Sequence, residues 1–336
     1  MRIKISKYWF LQPIIKIIPF PLLKQWAEGD LVILYYHLVN NKCVPHVSSL
    51  YKYKNTKQFI DDLDFLLKNF SPVALPDVIL WNKGLGSLPP NPFLLTFDDG
   101  FREISDIINP ILLDKGIPAT HFICSAFLDN QELHYHHKAS LLVDQIRKGV
   151  SAQVEGKIKN ILINVGIISS QLSEGLLKID YRGQDVLDKI AEVLQVDFQM
   201  YLNEKQPYLT SSQVRKLIDQ GFTIGAHSID HPYYSDLTLP EQLEQTIGSV
   251  KRIRETFGLD YGAFAFPHDD HGVYQEFFRI VCESGLVDIT FGTGGMLDNC
   301  LRSHKQRVSL ENPLLPAKEI IAWQYSRKFY KQLKIF

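Results

Sequence analysis

Cysteine is scarce in this chain. Cys43, Cys124, Cys282 and Cys300 are the four among 336 residues, and no two fall at a CxxC spacing. That excludes a thiolate zinc site and a disulfide framework, and leaves free thiols in a reducing compartment as the expectation. Net charge is also nearly absent: 36 basic against 37 acidic residues, a formal −1. A nucleic-acid partner, which calls for a basic patch or stripe, is therefore not expected. Internal repeats and low-complexity tracts are missing too. So are long uninterrupted apolar runs. The most apolar end, Met1 to Lys24, is broken by Pro13, Lys16, Pro19 and Pro21, too short and too interrupted for a spanning helix. No small-residue cleavage site follows a clean apolar core, so a secretory signal is poorly supported and a cytoplasmic location is expected.

Both ends of the chain mix basic and aromatic residues. Trp9, Phe10 and Phe20 lie among Arg2, Lys4, Lys7, Lys16 and Lys24, and Trp323, Phe329, Tyr330 and Phe336 among Arg327, Lys328, Lys331 and Lys334. Two readings are open: peripheral contact with an anionic membrane surface, or packed terminal segments with solvated lysines. The oligomeric state is not legible.

With 45% hydrophobic residues, the chain has ample material for a core. Apolar, β-rich runs recur at Leu31–Tyr36, Phe93–Phe97, Ala119–Cys124, Phe222–Ala226, Ala263–Phe266, Val287–Phe291 and Arg307–Leu310. Between most of them lie stretches with helical spacing, such as Phe59, Leu63, Leu66 and Leu67, or Ile104, Ile107, Ile108 and Ile111, the latter bent or shortened by Pro110. Strand–helix alternation of this kind argues for an α/β fold, a parallel sheet or barrel, and about seven such units favour the barrel. The rhythm breaks from about 129 to 208, where only helical patterns occur, and this stretch reads as a helical insertion. The expected organisation is a basic and aromatic segment over 1–28, the barrel over 29–312 with its insertion at about 129–208, and a C-terminal basic helix over 313–336.

Chemistry concentrates where two apolar runs end. Phe93-Leu94-Leu95-Thr96-Phe97 runs into Asp98-Asp99-Gly100. Adjacent residues leaving a strand point in different directions. One carboxylate can thus bind a cation while its neighbour faces whatever the cation activates. Two adjacent anions at the end of a buried strand are costly without a cation or strong donors; an Asp-Gly hairpin turn is the bland alternative. The second run, Phe222–Ile224, leads into Gly225-Ala226-His227-Ser228-Ile229-Asp230-His231-Pro232. Two histidines at this spacing converge on one cation if the turn between them is tightly curled. In a barrel, groups from different strand ends meet at one mouth. Two histidines and one carboxylate leave coordination positions open for water and substrate.

Thr96-Phe97-Asp98-Asp99-Gly100 with His227-Ser228-Ile229-Asp230-His231-Pro232 resembles the polysaccharide deacetylase family (the NodB homology domain, carbohydrate esterase family 4) over about Leu31 to Leu310. The approach Leu209-Thr210-Ser211 through Gly221 to His227 is similar as well. The resemblance implies a distorted (β/α) barrel and metal-dependent removal of an N- or O-acyl group from a sugar. By matching positions it implies Asp99, His227 and His231 as ligands of one divalent ion (zinc, with cobalt, nickel or manganese as substitutes) and Asp98 as general base. Many members carry the general acid in a late Leu-x-x-His motif, which is missing here; His304 is the one late candidate, in poor context. Ile33-Leu34-Tyr35-Tyr36-His37-Leu38-Val39 is instead similar to the branch in which that motif is permuted to the N-terminus, and implies His37 as the acid. Phe264-Ala265-Phe266-Pro267-His268 stands where the family's third motif follows a strand, with the His268 backbone N–H as the implied oxyanion donor. It departs from the family pattern in lacking the arginine that orients the base and the glycine after the aromatic position. Arg307, or Arg302, is the candidate substitute.

The remaining clusters read as accessory. His134, His136 and His137 are taken as surface or substrate-groove residues rather than a second metal site, Asp269-Asp270-His271 as groove rim, and Gly292-Thr293-Gly294-Gly295 as a flexible loop near the site. The expected activity is removal of an N-acetyl group from an amino sugar of a glycan or a lipid-linked precursor. Two alternatives stay open: a catalytically silent carbohydrate-binding relative, motivated by the missing arginine, and a deformylase or other deacylase on a lipid-linked sugar.

Overall fold

A computed structural model describes residues 18–25, 31–296 and 301–332; readings that fall on residues 1–17, 26–30, 297–300 and 333–336 lie outside the described residues. Nine strands form one sheet: β1 (Val32–Tyr36), β2 (Ser71–Pro72), β3 (Pro92–Phe97), β4 (Ala119–Ile123), β5 (Thr223–Ala226), β6 (Ala263–Ala265), β7 (Ile289–Gly292), β8 (His304–Gln306) and β9 (Val308–Ser309). The order is β8-β7-β6-β5-β4-β3-β1-β9, with the short β2 beside β3. The strands pair in parallel, from Tyr36 opposite Phe97 to Ala263 opposite Ile289.

Only Arg307 separates β8 from β9. One extended segment therefore pairs with β7 through Lys305 and with β1 through Val308 and Ser309. This segment nearly closes the sheet into a barrel; counted as one stave it gives eight strands, or seven without the two-residue β2, in keeping with the expected number of about seven. Side chains alternate along each strand. Ile33 and Leu94 join Phe122, Ala263, Ala265, Ile289 and Phe291 in one apolar cluster. Val32, Leu34 and Tyr36, with Phe93, Leu95 and Phe97, belong to a separate cluster that also takes in helix residues such as Phe59, Leu63 and Val214. Burial on both faces explains why these strands read as continuous apolar runs.

Local signals set the helix ends. Asn55 and Gln58 form a capping box at the start of helix Thr56–Asn69, and Thr210 and Gln213 do the same for Ser211–Asp219. Pro110 does not break its helix. It sits in the first turn of Asn109–Lys115, where no N–H is needed, after a wider turn over Ile104–Ile108.

Between β4 and β5 lie helices Tyr135–Arg147, Ala152–Asn164, Leu172–Leu176, Asp185–Leu194 and Phe198–Lys205. They bury their own apolar set, including Leu142, Ile158, Leu162, Leu187 and Ile190. Near the ends of the chain, helix Phe20–Gln25 packs on helix Ala317–Gln332. The Phe20 ring lies 5.0 Å from Phe65 and 6.1 Å from Tyr325. No helix among the described residues is long and apolar enough to cross a membrane.

Candidate metal and catalytic centre

The C-terminal ends of β1, β3, β5 and the β8–β9 segment supply the candidate residues. Asp98 leaves β3 with its N–H on the carbonyl of Tyr36, at 3.0 Å. The next two residues, Asp99 and Gly100, take φ values of 69° and 68°. This left-handed turn swings the second carboxylate away from the first. Gly100 is also needed for space, since a Cβ there would lie 3.1 Å from Ile123. After β5, Ser228 and His231 are both left-handed, each at φ 68°. The Ser228 hydroxyl accepts the N–H of His231 at 2.9 Å, closing the turn. Gln245 accepts the N–H of Ile229 and donates to Asp230, and Tyr181 of the insertion donates to the other oxygen of Asp230. This is the tight curl that two histidines four apart need in order to face one point.

They face Asp99. Its Oδ1 lies 3.4 Å from His227 Nε2 and 3.1 Å from His231 Nε2. One ligating atom from each residue lies within 4.8 Å of the others, and this is the single such group among the described residues. Asp99 Oδ1 and His227 Nε2 are buried without a hydrogen-bond partner. The other nitrogen of His227 donates to the carbonyl of Ala265 at 2.9 Å, which leaves the Nε2 lone pair free. A carboxylate oxygen and imidazole nitrogens, converging and otherwise unsatisfied, fit a borderline divalent ion. Burial raises the Asp99 pKa, but the imidazoles of His231 and His227 beside it outweigh that and hold the carboxyl well below its usual range.

Asp98 faces a different partner. Arg307 is wholly buried at the junction of β8 and β9. Its guanidinium makes two parallel 2.7 Å bonds to Asp98, donates to Thr96 Oγ1 at 3.0 Å, and lies 4.7 Å from the Tyr35 ring centre. Burial pushes the Asp98 pKa up, yet Arg307 and then His227 bring it below the ordinary value, so the carboxylate stays ionised. Arg302 lies elsewhere, exposed, with its one long contact to the carbonyl of Trp81. It is tied to the helix Leu75–Lys83, so it is not the partner of Asp98.

His37 follows β1 directly. Glu311, just beyond β9, accepts the backbone N–H of His37 at 2.7 Å and lies 3.1 Å from its Nδ1. Burial lowers the pKa of His37, but the Glu311 hydrogen bond and the charges of Asp99, Glu311 and Asp98 raise it to about 9. Sequence reasoning missed Glu311. The one available signal was an acid immediately after the last strand-like run, at the strand end where barrel site residues gather.

His304 is not free to act as an acid. One ring nitrogen meets Thr290 at 2.8 Å and the other Asp270 at 3.0 Å, while Gln306 also donates to Asp270. Asp270 is accordingly a tether of the loop after β6 rather than bare rim. Pro267 is buried, and His268 (φ 58°) stacks on Tyr233 with ring centres 3.6 Å apart.

The histidines of the insertion correct the surface reading. His134 is 5% exposed and His137 3%. The insertion folds back on the barrel mouth and sets the His134 ring 4.5 Å from that of His231. His268 approaches His231 at the same distance. Burial, then the neighbouring imidazoles, lowers the pKa of His134 and His268 well below the ordinary value, so both are neutral.

The fold and site thus define an α/β-barrel protein with a candidate metal centre at its mouth. In comparison with known proteins, the polysaccharide deacetylase family model matches residues 177–276, a stretch that holds His227, His231, Pro267 and His268. Solved structures of similar fold include the deacetylase PplD of Streptococcus pyogenes, with 13% identity, 88% of this chain and 97% of that one covered, and a TM-score of 0.56. IcaB from Ammonifex degensii is 16% identical over 89% of this chain and 98% of that one, with a TM-score of 0.55. A de-N-acetylase from Aggregatibacter actinomycetemcomitans is 15% identical over 83% and 94%, with a TM-score of 0.51. No curated protein sequence matches the chain. The family model thus spans the two histidines but not Asp98 and Asp99, and the solved structures share the fold.

Proposed function

We propose that this protein is a metal-dependent deacetylase that hydrolyses the N-acetyl group of an amino sugar in a glycan or glycan precursor. The observation that carries the reading is the division of labour between adjacent carboxylates: Asp99 converges with His227 and His231, whereas Asp98 is clamped by Arg307. The family match, and structural relatives that are a deacetylase and a de-N-acetylase, support the substrate class.

Asp99, His227 and His231 would hold the divalent ion, zinc by donor type. When bound, the ion supplies a Lewis acid and acidifies a water molecule at neutral pH. Asp98, kept ionised and oriented by Arg307, takes a proton from the attacking water. His37, held protonated by Glu311, gives its proton to the amine as the C–N bond breaks, so acetate and a free amine leave. The backbone N–H of His268 serves the oxyanion. The Asp98–Arg307 clamp also supplies the base partner whose absence from the third motif motivated the silent-relative reading.

The direct test is acetate release from N-acetylglucosamine oligomers by protein stripped with chelator and reloaded with zinc. Turnover that depends on zinc and is lost in both Asp98→Asn and His227→Ala supports the assignment. Release unchanged in both variants sinks it.

A further inference from the structure

Imidazoles that bind a metal through one nitrogen almost always donate the other N–H to a fixed acceptor, which sets ring orientation and ligand strength. His227 obeys this through the carbonyl of Ala265. His231 does not: its Nδ1 is buried and has no hydrogen-bond partner. Beside it lies a second orphan. His134 Nε2 is also buried and unpartnered, and the two rings pack edge to face with centres 4.5 Å apart. Two unsatisfied polar atoms on packed, buried rings each cost the desolvation of that group, unless they can serve each other.

The backbone under His134 is built to hold that ring in place. His134 caps the helix Tyr135–Arg147, its carbonyl accepting the N–H of Lys138. Its own N–H donates to the hydroxyl of Tyr208, which also meets His137 Nδ1 at 2.6 Å. Tyr208 is in turn fixed at both backbone groups by the Asn130 side chain, and its strand-like neighbour Leu209 donates to the carbonyl of Gly100. The loop carrying Asp99 and the residue facing His231 thus share one rigid frame. His268 flanks His231 on another side, and its Nε2 is unpartnered too. Its ring is committed face-on to Tyr233, however, and it is less buried than His134.

We propose that His134, the first residue of the helical insertion's leading helix cap, is the outer acceptor for His231: with metal on Nε2 of His231, its Nδ1–H donates to Nε2 of His134. The inference rests on the metal-centre reading. It makes the insertion part of the metal site, and His134 a positioning residue that touches neither metal nor substrate.

The experiment measures zinc and cobalt affinity by competition with a chromogenic chelator, without substrate. His134→Phe keeps the ring packing and deletes the acceptor. The expected result is a loss of roughly 10–100-fold in affinity, with unchanged melting of the metal-free protein. His134→Gln, whose amide oxygen can accept, recovers most of the affinity, and His268→Phe changes it less than His134→Phe does. Affinity within twofold of the unmutated protein in His134→Phe overturns the inference, as does a larger loss in His268→Phe. Should His134→Phe not fold, nuclear magnetic resonance of the unmutated zinc form decides. An exchange-protected Nδ1 proton of His231 with a cross-peak to the His134 ring supports the proposal, and its absence refutes it. Because no substrate is used, a protein with His134-dependent metal affinity but no acetate release would refute the deacetylase reading and leave this inference standing. A protein that takes up neither ion refutes both.

Discussion

The two sides of the candidate centre are built on different terms. On the barrel side three groups have partners made by neighbouring strands: Asp98 has Arg307, His37 has Glu311, and one nitrogen of His227 has the carbonyl of Ala265. On the insertion side, His231, His134 and His268 each keep a buried nitrogen unpaired. Hydrogen bonds already satisfied within the protein preorganise a group at no later cost. Orphaned buried atoms mark where a further partner fits. On the proposed reading the barrel side serves proton transfer, and the insertion side serves the metal.

Changes on the barrel side should cost stability or proton transfer, and changes at the ligands should cost metal. The largest effect is expected for His227→Ala and Asp99→Asn, which remove converging ligands: bound zinc falls from one equivalent to none by metal analysis, and acetate release goes with it. Zinc retained at one equivalent in both variants would break the division between the two carboxylates.

Next comes Arg307→Met. It leaves the buried Asp98 charge uncompensated, and breaking one partner of such a pair costs about 3–5 kcal/mol. Denaturant unfolding should show a loss of that order, while zinc affinity changes little. Arg307→Lys should not restore the wild-type midpoint, because an ammonium cannot reproduce the two parallel bonds. Equal stability of all three proteins would contradict the clamp.

Glu311→Gln should leave zinc uptake intact and move the pH profile. His37 has its pKa raised to about 9 in the folded protein, against an ordinary 6.5. The proton donor therefore persists through neutral pH, and activity falls as pH rises through the pKa of His37. A cation beside Asp99 offsets that carboxylate's pull and brings this basic limb below 9 in the loaded enzyme. Removing the Glu311 charge and acceptor shifts the limb further towards acid, by roughly 1–3 units for loss of a close opposite charge. The same raised pKa contributes stability that is present below the ordinary value and lost as pH climbs through 9, so Glu311→Gln also flattens stability over that window. A basic limb at the same pH in both proteins would remove His37 from the acid role.

The smallest effect tests an orphaned group within the barrel wall. His121, on β4, is fully buried between Phe97 and Phe222 with both ring nitrogens unpaired and its pKa lowered to about 3 by burial. His121→Phe removes two unsatisfied polar atoms and should raise stability by about 1 kcal/mol with no change in zinc affinity. A fall in stability would show that His121 has a partner in solution, such as bound water.

Much of this architecture was legible along the chain because local patterns carry it. The barrel strands are buried on both faces and read as apolar runs, and the site residues follow them directly. The pairing of Asp98 with Arg307 spans 209 positions. Arg307 was nonetheless a candidate, because the missing arginine of the third motif demanded a substitute and the closing strand carried one. Glu311 had no such demand behind it; its contact with His37 spans 274 positions and follows only from β8–β9 closing the barrel against β1. His134 and His137 were misread for a similar reason. In sequence they sit near Gln131 and Glu132 at the start of an irregular stretch, and their burial depends on the Tyr208 segment running back past Phe101 and Gly100. The folding of the insertion onto the mouth is a tertiary event with no local signature.

The account stands or falls on whether the converging trio loads a metal that the clamped carboxylate then uses. The decisive measurement is zinc-dependent acetate release from an N-acetylglucosamine oligomer, compared between the unmutated protein and Asp98→Asn at matched zinc occupancy. The expected result is one zinc in each protein and release slower by roughly 10²–10⁴-fold in Asp98→Asn, the usual contribution of a positioned base. One zinc in each with equal rates, or equal release after the zinc is stripped from both, would contradict it.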